Sequence, residues 1–234
     1  MGLEEVQKRN LEHRTHRTGW LRAAVLGSND GLVSTSSLMI GFAAASKGEL
    51  LVTAGLAGIA AGAMSMAVGE YVSVKSQSDI EKTDRDIEIS QLQEDPKGEL
   101  LELTHIYMDR GLTKELASQV ASALHEHDAL EAHLRDELGH FDQTKARPLQ
   151  AGVASAIAFS AGGVVPLLGA LISKDHEVFF ILTFTALGLI TAGVISSRVA
   201  SSPIIKTVMR IFAGGALGLA ITAGIGWLVG LTGI

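Results

Sequence analysis

The chain has 234 residues, of which 47% are hydrophobic and 19% are charged, and its formal net charge is −6. The mean hydropathy of +0.31 is high for a soluble protein, yet the charged fraction is too large for a chain that lies wholly within a membrane. The absence of cysteine excludes disulfides and thiolate metal ligands. An isoelectric point of about 5.7 argues against nucleic-acid binding.

Long uncharged runs predict membrane-spanning helices, because about 20 apolar residues at about 1.5 Å each cross a bilayer. The polar residues 1–19 precede them and read as a cytosolic segment rather than a cleavable signal peptide. Five runs are long enough: 23–46 (interrupted only by Asp30), 50–69, 148–173, 178–197 and 211–234. The sequence therefore predicts two spans within 20–72 and three within 147–234.

Asp30 is the most informative residue of the first run. It lies about ten residues into the first predicted span, counted from residue 20, which corresponds to a depth of about 15 Å. A charge at that depth costs at least ~3 kcal/mol, so we expect an ion or a proton to compensate it. The alternative is a helix-breaking turn at Asn29 and Gly31, in which the acid caps the segment that follows.

The second run adds three candidate pore residues: Met64, Met66 and Glu70. Met66 and Glu70 are four residues apart, so they share one side of a helix. A thioether beside a carboxylate suits a borderline transition ion better than Mg²⁺ or Ca²⁺. For any single methionine, ordinary packing is the simpler explanation.

Between the second and third spans lies an acidic insert, residues 73–146. Residues 71–147 contain 17 Asp+Glu against 9 Lys+Arg, and five of the eight histidines. The second span is expected to continue as a helix until Asp95 and Pro96 stop it. Leucine and alanine spacing then predicts three short helices, at 99–110, 113–127 and 128–138. The stretch from His125 to Asp128 lacks the spacing of a zinc-protease motif and is interpreted as a helix end.

Carboxylates and one histidine of the insert have spacings that suit a divalent ion. Glu99 and Glu102 are three residues apart, and His133 and Glu137 are four apart. The full candidate set is Glu81, Asp84, Glu88, Glu99, Glu102, His133, Asp136 and Glu137. Charged runs are more often plain solvated faces, so these residues alone favour metal binding only weakly.

The distribution of basic residues predicts the orientation. With five spans, 17 of the 19 Lys+Arg fall on the side of the N-terminus and the insert, and only Lys47 and Lys174 fall on the other. Basic loops stay in the cytosol. The N-terminus and the insert should face the cytosol, and the C-terminus should lie outside.

Pairs of glycines four residues apart recur in the spans, as at Gly58 and Gly62 and at Gly226 and Gly230. Such faces let membrane helices approach closely. They predict a tightly packed bundle, and general helix packing and a subunit interface are both open as explanations.

Two stretches, RAAVLGSNDGLVSTSSLMIG and AAGAMSMAVGEYVSVKSQSD, resemble the vacuolar iron transporter family in its bacterial branch. The insert strings ELLELTHIYMDRGL and AHLRDELG and the third-span string AGGVVPLLGA extend the resemblance from Arg22 to the C-terminus. The resemblance implies an all-α integral membrane protein with five transmembrane helices and a cytosolic helical metal-binding insert between the second and third. It also implies a homodimer with its pore at the subunit interface.

The function implied by the resemblance is export of Fe²⁺ or Mn²⁺ from the cytosol in exchange for protons, across a bacterial plasma membrane. The family's intramembrane acid falls on Asp30 and its pore methionine on Met66. Its insert carboxylates fall on Glu99, Glu102 and Glu137. No fixed cofactor is expected, and the partners are metal ions, protons, the lipid bilayer and a second copy of the chain.

A different class of function is a membrane-anchored metal buffer or sensor, in which the insert binds ions and the spans only anchor it. Asp30 argues against this function, because an anchor has no need of a buried acid. An enzyme is disfavoured, since the spans hold no nucleophile with a nearby base; Ser65 lacks the flanking glycines of a nucleophile elbow.

Overall fold

The computed structural model describes residues 18–45, 50–139 and 146–232, and within these residues the regular elements are all helices. There are seven: α1 (Thr18–Ala44), α2 (Leu51–Glu94), α3 (Pro96–Asp109), α4 (Lys114–Asp136), α5 (Pro148–Ala170), α6 (Glu177–Ala200) and α7 (Ile204–Thr232). The predicted all-α class is confirmed for the described part of the chain.

The chain divides into two compact units. We call Ser73–Arg147 the insert unit, and Gly19–Val72 together with Pro148–Ile234 the membrane unit. Helix α2, with 44 residues, runs from one unit into the other. No glycine or proline interrupts its second half, which is why it continues past the apolar run that begins it.

Local signals in the sequence set the limits of the helices in the insert unit. Asp95 ends α2 and caps α3, since its Oδ1 accepts a hydrogen bond from the Gly98 amide at 2.9 Å, and Pro96 takes the first helical position. Thr113 caps α4 in the same way. Gly111, with φ +97°, makes the turn between α3 and α4, a conformation that residues with a Cβ rarely adopt.

Helix α4 is two helical segments joined at a kink. Asp128 has φ −161° and ψ 95°, which is extended backbone, and its Oδ1 accepts a hydrogen bond from the Glu131 amide at 2.9 Å. The kink falls where the sequence predicted one short helix to end and the next to begin. It turns the segment that carries His133 and Glu137 away from the course of the first half.

In the described part of the chain, four helices are long and apolar enough to cross a membrane: α2, α5, α6 and the Ile204–Leu231 part of α7. The protein is a multi-pass membrane protein. Helix α1 has 27 residues but is not among the four, so the fifth span stays a prediction. It is continuous through Asn29, Asp30 and Gly31, which rules out the helix-breaking turn considered above.

The core of the membrane unit brings α1, α2, α5 and α6 together. Its buried members are Met39, Ile40, Leu51, Leu167, Ala170 and Ile181. The paired glycines serve contacts inside this chain: a Cβ at Gly62 would meet the Phe159 ring, and Gly226 of α7 lies against the backbone of Gly41 in α1. Helix packing within one copy therefore accounts for these two glycines.

Candidate metal site

Three helices of the insert unit bring four potential metal ligands together. They are Glu88 of α2, Glu99 of α3, and His133 and Glu137 at the end of α4. Each offers one ligand atom, and all four atoms lie within 4.8 Å of one another. We call these four residues the Glu–His cluster.

The cluster is built on a small apolar core. Leu103, Ala121 and Ala132 are buried between α3 and α4 and hold the two helices together. The capped start of α3 places Glu99 in its first turn, and the four-residue spacing of His133 and Glu137 puts both on one face of α4. Local sequence signals therefore set the positions of three of the four side chains, those of Glu99, His133 and Glu137.

One nitrogen faces three carboxylates. His133 Nδ1 lies 3.0 Å from Glu137 Oε2, 3.2 Å from Glu88 Oε1 and 3.6 Å from Glu99 Oε2. The close approach of Nδ1 to these oxygens requires a proton between them, carried either by the imidazole or by one of the carboxyl groups. A metal ion would take the place of that proton, because a neutral imidazole nitrogen is a common metal ligand.

Three buried polar atoms of the cluster form no hydrogen bond of good geometry: Glu88 Oε1 and Glu99 Oε2, which approach only the one Nδ1 of His133, and His133 Nε2. The His133 side chain is completely buried, and the Glu88 side chain is 3% exposed. Buried carboxylate oxygens without donors are unfavourable. A divalent cation among them would supply the missing charge, so these ligands fit a metal ion.

The environment changes the acidity of the two buried glutamates. Burial raises the pKa of Glu88 to about 7; the charges of Glu137, Glu99 and Glu102 act in the same direction, and His133 opposes them. Burial likewise raises the pKa of Glu99, again against the effect of His133. Ion binding at the cluster must therefore compete with protons near neutral pH.

The remaining candidates of the insert lie outside the Glu–His cluster. Glu102 is exposed and influences the cluster as a neighbouring charge. Glu81 accepts a hydrogen bond from Gln77 at 2.9 Å, and Asp84 is half-buried on the same helix. The Asp136 carboxylate accepts hydrogen bonds from Tyr107, Arg110 and Arg135.

The membrane unit contains a cavity of about 340 Å³ that Asp30 and Met66 both line. Its other lining residues are Ser34, Thr35, Leu38, Gly58, Gly62, Ser65 and Phe159. Met64 and Glu70 do not line it; Met64 is 65% exposed and Glu70 is half-buried. The structure thus brings two of the four predicted pore residues together.

Helical periodicity distinguishes Met66 from Met64 as a pore residue. Gly58, Gly62 and Met66 follow one another at intervals of four along α2, so they share a face that excludes Met64. Asp30 and Ser34 are related in the same way on α1. Phe159, from α5, gives no such signal, because nothing local shows which helix packs opposite α1.

Comparison with known proteins assigns the chain to a family. The profile of the VIT family matches residues 21–227, which include both candidate sites. The chain belongs to the VIT family.

The sequences of named relatives align with most of this VIT-family chain. A vacuolar iron transporter of Acanthamoeba castellanii is 42% identical over 212 residues, covering 90% of this chain and 78% of that protein. Vacuolar iron transporter homolog 4 of Arabidopsis thaliana is 34% identical, covering 100% of this chain and 96% of the relative. VIT-like transporter 1b of Glycine max is 32% identical, covering 93% and 80%.

Proposed function

We propose that this VIT-family protein carries Fe²⁺ or Mn²⁺ out of the cytosol in exchange for protons. The observation that carries the proposal is the membrane cavity lined by both Asp30 and Met66. An acid within a span is characteristic of an ion or proton path. Iron is the first candidate, because two of the relatives described above are named vacuolar iron transporters or homologues of them.

The ligand atoms of the cavity favour a transition ion. Asp30 offers carboxylate oxygens, Met66 a thioether sulfur, and Ser34 and Ser65 hydroxyl oxygens. Mg²⁺ and Ca²⁺ prefer oxygen alone, whereas borderline ions such as Fe²⁺ accept sulfur as well. The hydroxyl groups suit an ion that keeps part of its hydration shell.

In this proposal the insert unit collects the ion from the cytosol. The Glu–His cluster supplies three carboxylates and an imidazole, a set that suits first-row divalent ions. Glu70 and Met64 extend the path along α2 in the proposal, although neither lines the cavity. Protonation of Asp30 would then remove its negative charge and release the ion on the far side.

The test is ion uptake into proteoliposomes with and without a pH gradient, using Fe²⁺, Mn²⁺, Co²⁺, Ni²⁺ and Zn²⁺ in parallel. We expect Asp30→Asn to abolish proton-driven Fe²⁺ uptake, and Met66→Leu to reduce discrimination among the ions. The matched control is Asp175→Asn, an exposed acid in the connection between α5 and α6. Unchanged uptake by Asp30→Asn would show the mechanism to be wrong.

A metal buffer anchored in the membrane is the second candidate, and the buried, unpartnered carboxylate oxygens of the Glu–His cluster favour it. The two functions differ in flux. A transporter with Glu99→Gln keeps ion flux at saturating metal and loses affinity, whereas a buffer binds ions and shows no flux in any variant.

We further propose that the N-terminus and the insert face the cytosol, that the C-terminus lies outside, and that two copies assemble as a homodimer. The bias of basic residues supports the orientation. The relatives reported above are from an amoeba and plants, so a bacterial plasma membrane rests on the sequence resemblance alone.

A further inference from the structure

Next to the Glu–His cluster, a set of hydrogen bonds ties α3 to the end of α4. Arg110 Nη1 donates to Asp136 Oδ1 and Arg110 Nη2 donates to the Asp136 backbone oxygen, both at 2.8 Å. The Tyr107 hydroxyl donates to Asp136 Oδ2 at 2.7 Å. We call Tyr107, Arg110 and Asp136 the α3–α4 clamp.

Burial and additional contacts hold the residues of the clamp in place. The Asp136 side chain is only 9% exposed, and Arg135 Nη2 also donates to its Oδ2, at 2.8 Å. Burial alone would raise the pKa of Asp136, but the donors from Arg135, Arg110 and Tyr107 hold it well below its ordinary value. The Arg110 guanidinium also lies 5.3 Å from the centre of the Tyr107 ring.

The position of the clamp connects it with the metal ligands. Asp136 directly precedes Glu137 and follows His133 by three residues, so fixing Asp136 fixes the last turn of α4. Glu99 lies on α3, the helix that carries Tyr107 and leads into Arg110. The clamp therefore joins the two helices that supply three of the four cluster ligands.

We propose that Arg110 and Asp136 are positioning residues, which hold His133 and Glu137 against Glu99 at ion-binding distance, and that Asp136 is not itself a ligand. Asp136 Oδ1 already accepts a hydrogen bond from Arg110, and Oδ2 accepts hydrogen bonds from Tyr107 and Arg135. The inference rests on the proposed function, in that the cluster binds a divalent ion. Partners that orient ligands typically change metal affinity by about 10- to 100-fold.

Charge and geometry predict opposite effects for one substitution. Arg110 is a cation on the unit that binds a cation. If only its charge mattered, Arg110→Gln would strengthen metal binding, since a repulsive charge is removed. If Arg110 positions the cluster, the same substitution weakens binding, because the end of α4 is released.

The experiment measures Mn²⁺ binding to the full-length protein in detergent by calorimetric titration. The Mn²⁺ binding that is lost in Glu99→Gln first shows how much of the total binding belongs to the cluster, and we call this the cluster's share. We expect Arg110→Gln and Asp136→Asn each to weaken that share by roughly tenfold. The control Lys75→Gln removes another insert cation, one paired with Asp79 on α2, and should leave binding unchanged or slightly tighter.

Two further variants separate positioning from charge and from folding. Arg110→Lys keeps the charge but not the two-pronged geometry, so wild-type affinity in this variant would overturn the proposal. Tyr107→Phe removes one hydrogen bond and should weaken binding mildly while the ion-free unfolding temperature stays near that of the wild type. Tighter binding by Arg110→Gln together with weaker binding by Asp136→Asn would make Asp136 a ligand and would also overturn it.

Failure of the proposed function has a different signature. If Glu99→Gln binds Mn²⁺ as the wild type does, the cluster is not an ion site, whatever the clamp variants show. If Glu99→Gln loses binding and the clamp variants keep it, the cluster stands and only the positioning role is wrong.

Discussion

Glu88 has an environment unlike that of an ordinary glutamate. Its side chain is 3% exposed, it faces His133, and two further carboxylates lie close by. In sequence it is one acid among several on the second half of α2, where acids are usually solvated. Its burial between α3 and α4 makes it a ligand candidate, and no spacing rule distinguishes it from Glu81.

The raised pKa of Glu88 predicts how the stability of the ion-free protein depends on pH. The folded protein keeps the proton up to about pH 7, whereas the unfolded chain releases it near the ordinary glutamate pKa of 4.5. The unfolded state therefore binds fewer protons in this window, and the free energy of unfolding should fall as pH rises through it. In Glu88→Gln, which stays neutral, the fall should be smaller.

Calorimetric unfolding of the full-length protein between about pH 5 and 8, with metal removed by a chelator, measures this effect. Glu81→Gln is the control, because Glu81 lies outside the cluster. Equal pH slopes in the wild type and in Glu88→Gln would contradict the buried position of Glu88. Adding Mn²⁺ should reverse the trend, since ion binding favours the ionised carboxylate.

At the scale of helices, the close approach of α1 and α5 shapes the membrane unit. Gly27 and Gly31 of α1 lie against the backbone of α5 near Ser155 and Phe159, and Gly162 of α5 lies against Ser28. Small residues permit such contact where side chains would separate the helices. The same approach brings Phe159 into the wall of the cavity that contains Asp30.

Gly31→Ala should destabilise the membrane unit. The added Cβ would overlap the Phe159 carbonyl oxygen, and a backbone atom cannot turn aside as a side chain can. Overpacking typically costs about 1–3 kcal/mol, so we expect a lower unfolding temperature in detergent and reduced ion flux.

Gly214→Ala is the matched control for that prediction. It is also a helical glycine, on α7, but a Cβ there meets nothing within 4 Å. Alanine is favoured over glycine inside helices by roughly 0.5–1 kcal/mol, so this variant should be as stable as the wild type or slightly more so. A Gly31→Ala protein as stable as Gly214→Ala would contradict the described contact between α1 and α5.

At the scale of the whole molecule, the helix order predicts which loops share a side of the membrane. The connection between α5 and α6 should lie opposite the insert, and the connection between α6 and α7 should lie with it. The chain has no cysteine, so single cysteines can be labelled without background. With a membrane-impermeant maleimide, we expect Ser118→Cys and Lys206→Cys to react from one side and Lys174→Cys from the other.

Glu12→Cys tests whether α1 crosses the membrane as well. If α1 and α2 both cross, this position reacts from the same side as Ser118→Cys. Reaction from the side of Lys174→Cys would reduce the count to the four helices that are apolar enough by composition. Labelling of every position from one side would contradict the multi-pass arrangement.

Local signals in the sequence determined the helices and several of their ends. Apolar runs, the Asp95–Pro96 stop and the kink at Asp128 depend on near neighbours in the chain, and these are readable without a fold. The sequence also singled out Asp30, because an acid within an apolar run is anomalous wherever the helices lie.

Only the tertiary structure decided which of these side chains meet. Spacing places Glu88 and Glu81 on a helix, and Met64 and Met66 on another stretch of it, but it does not say which face meets α3, α4 or α5. Packing buries Glu88 with His133 and leaves Glu81 outside. It places Met66 and Asp30 in the wall of one cavity, and it pairs Asp136 with Arg110. Contacts between helices that are distant in sequence depend on how the faces of all the helices are arranged, so local spacing does not predict them.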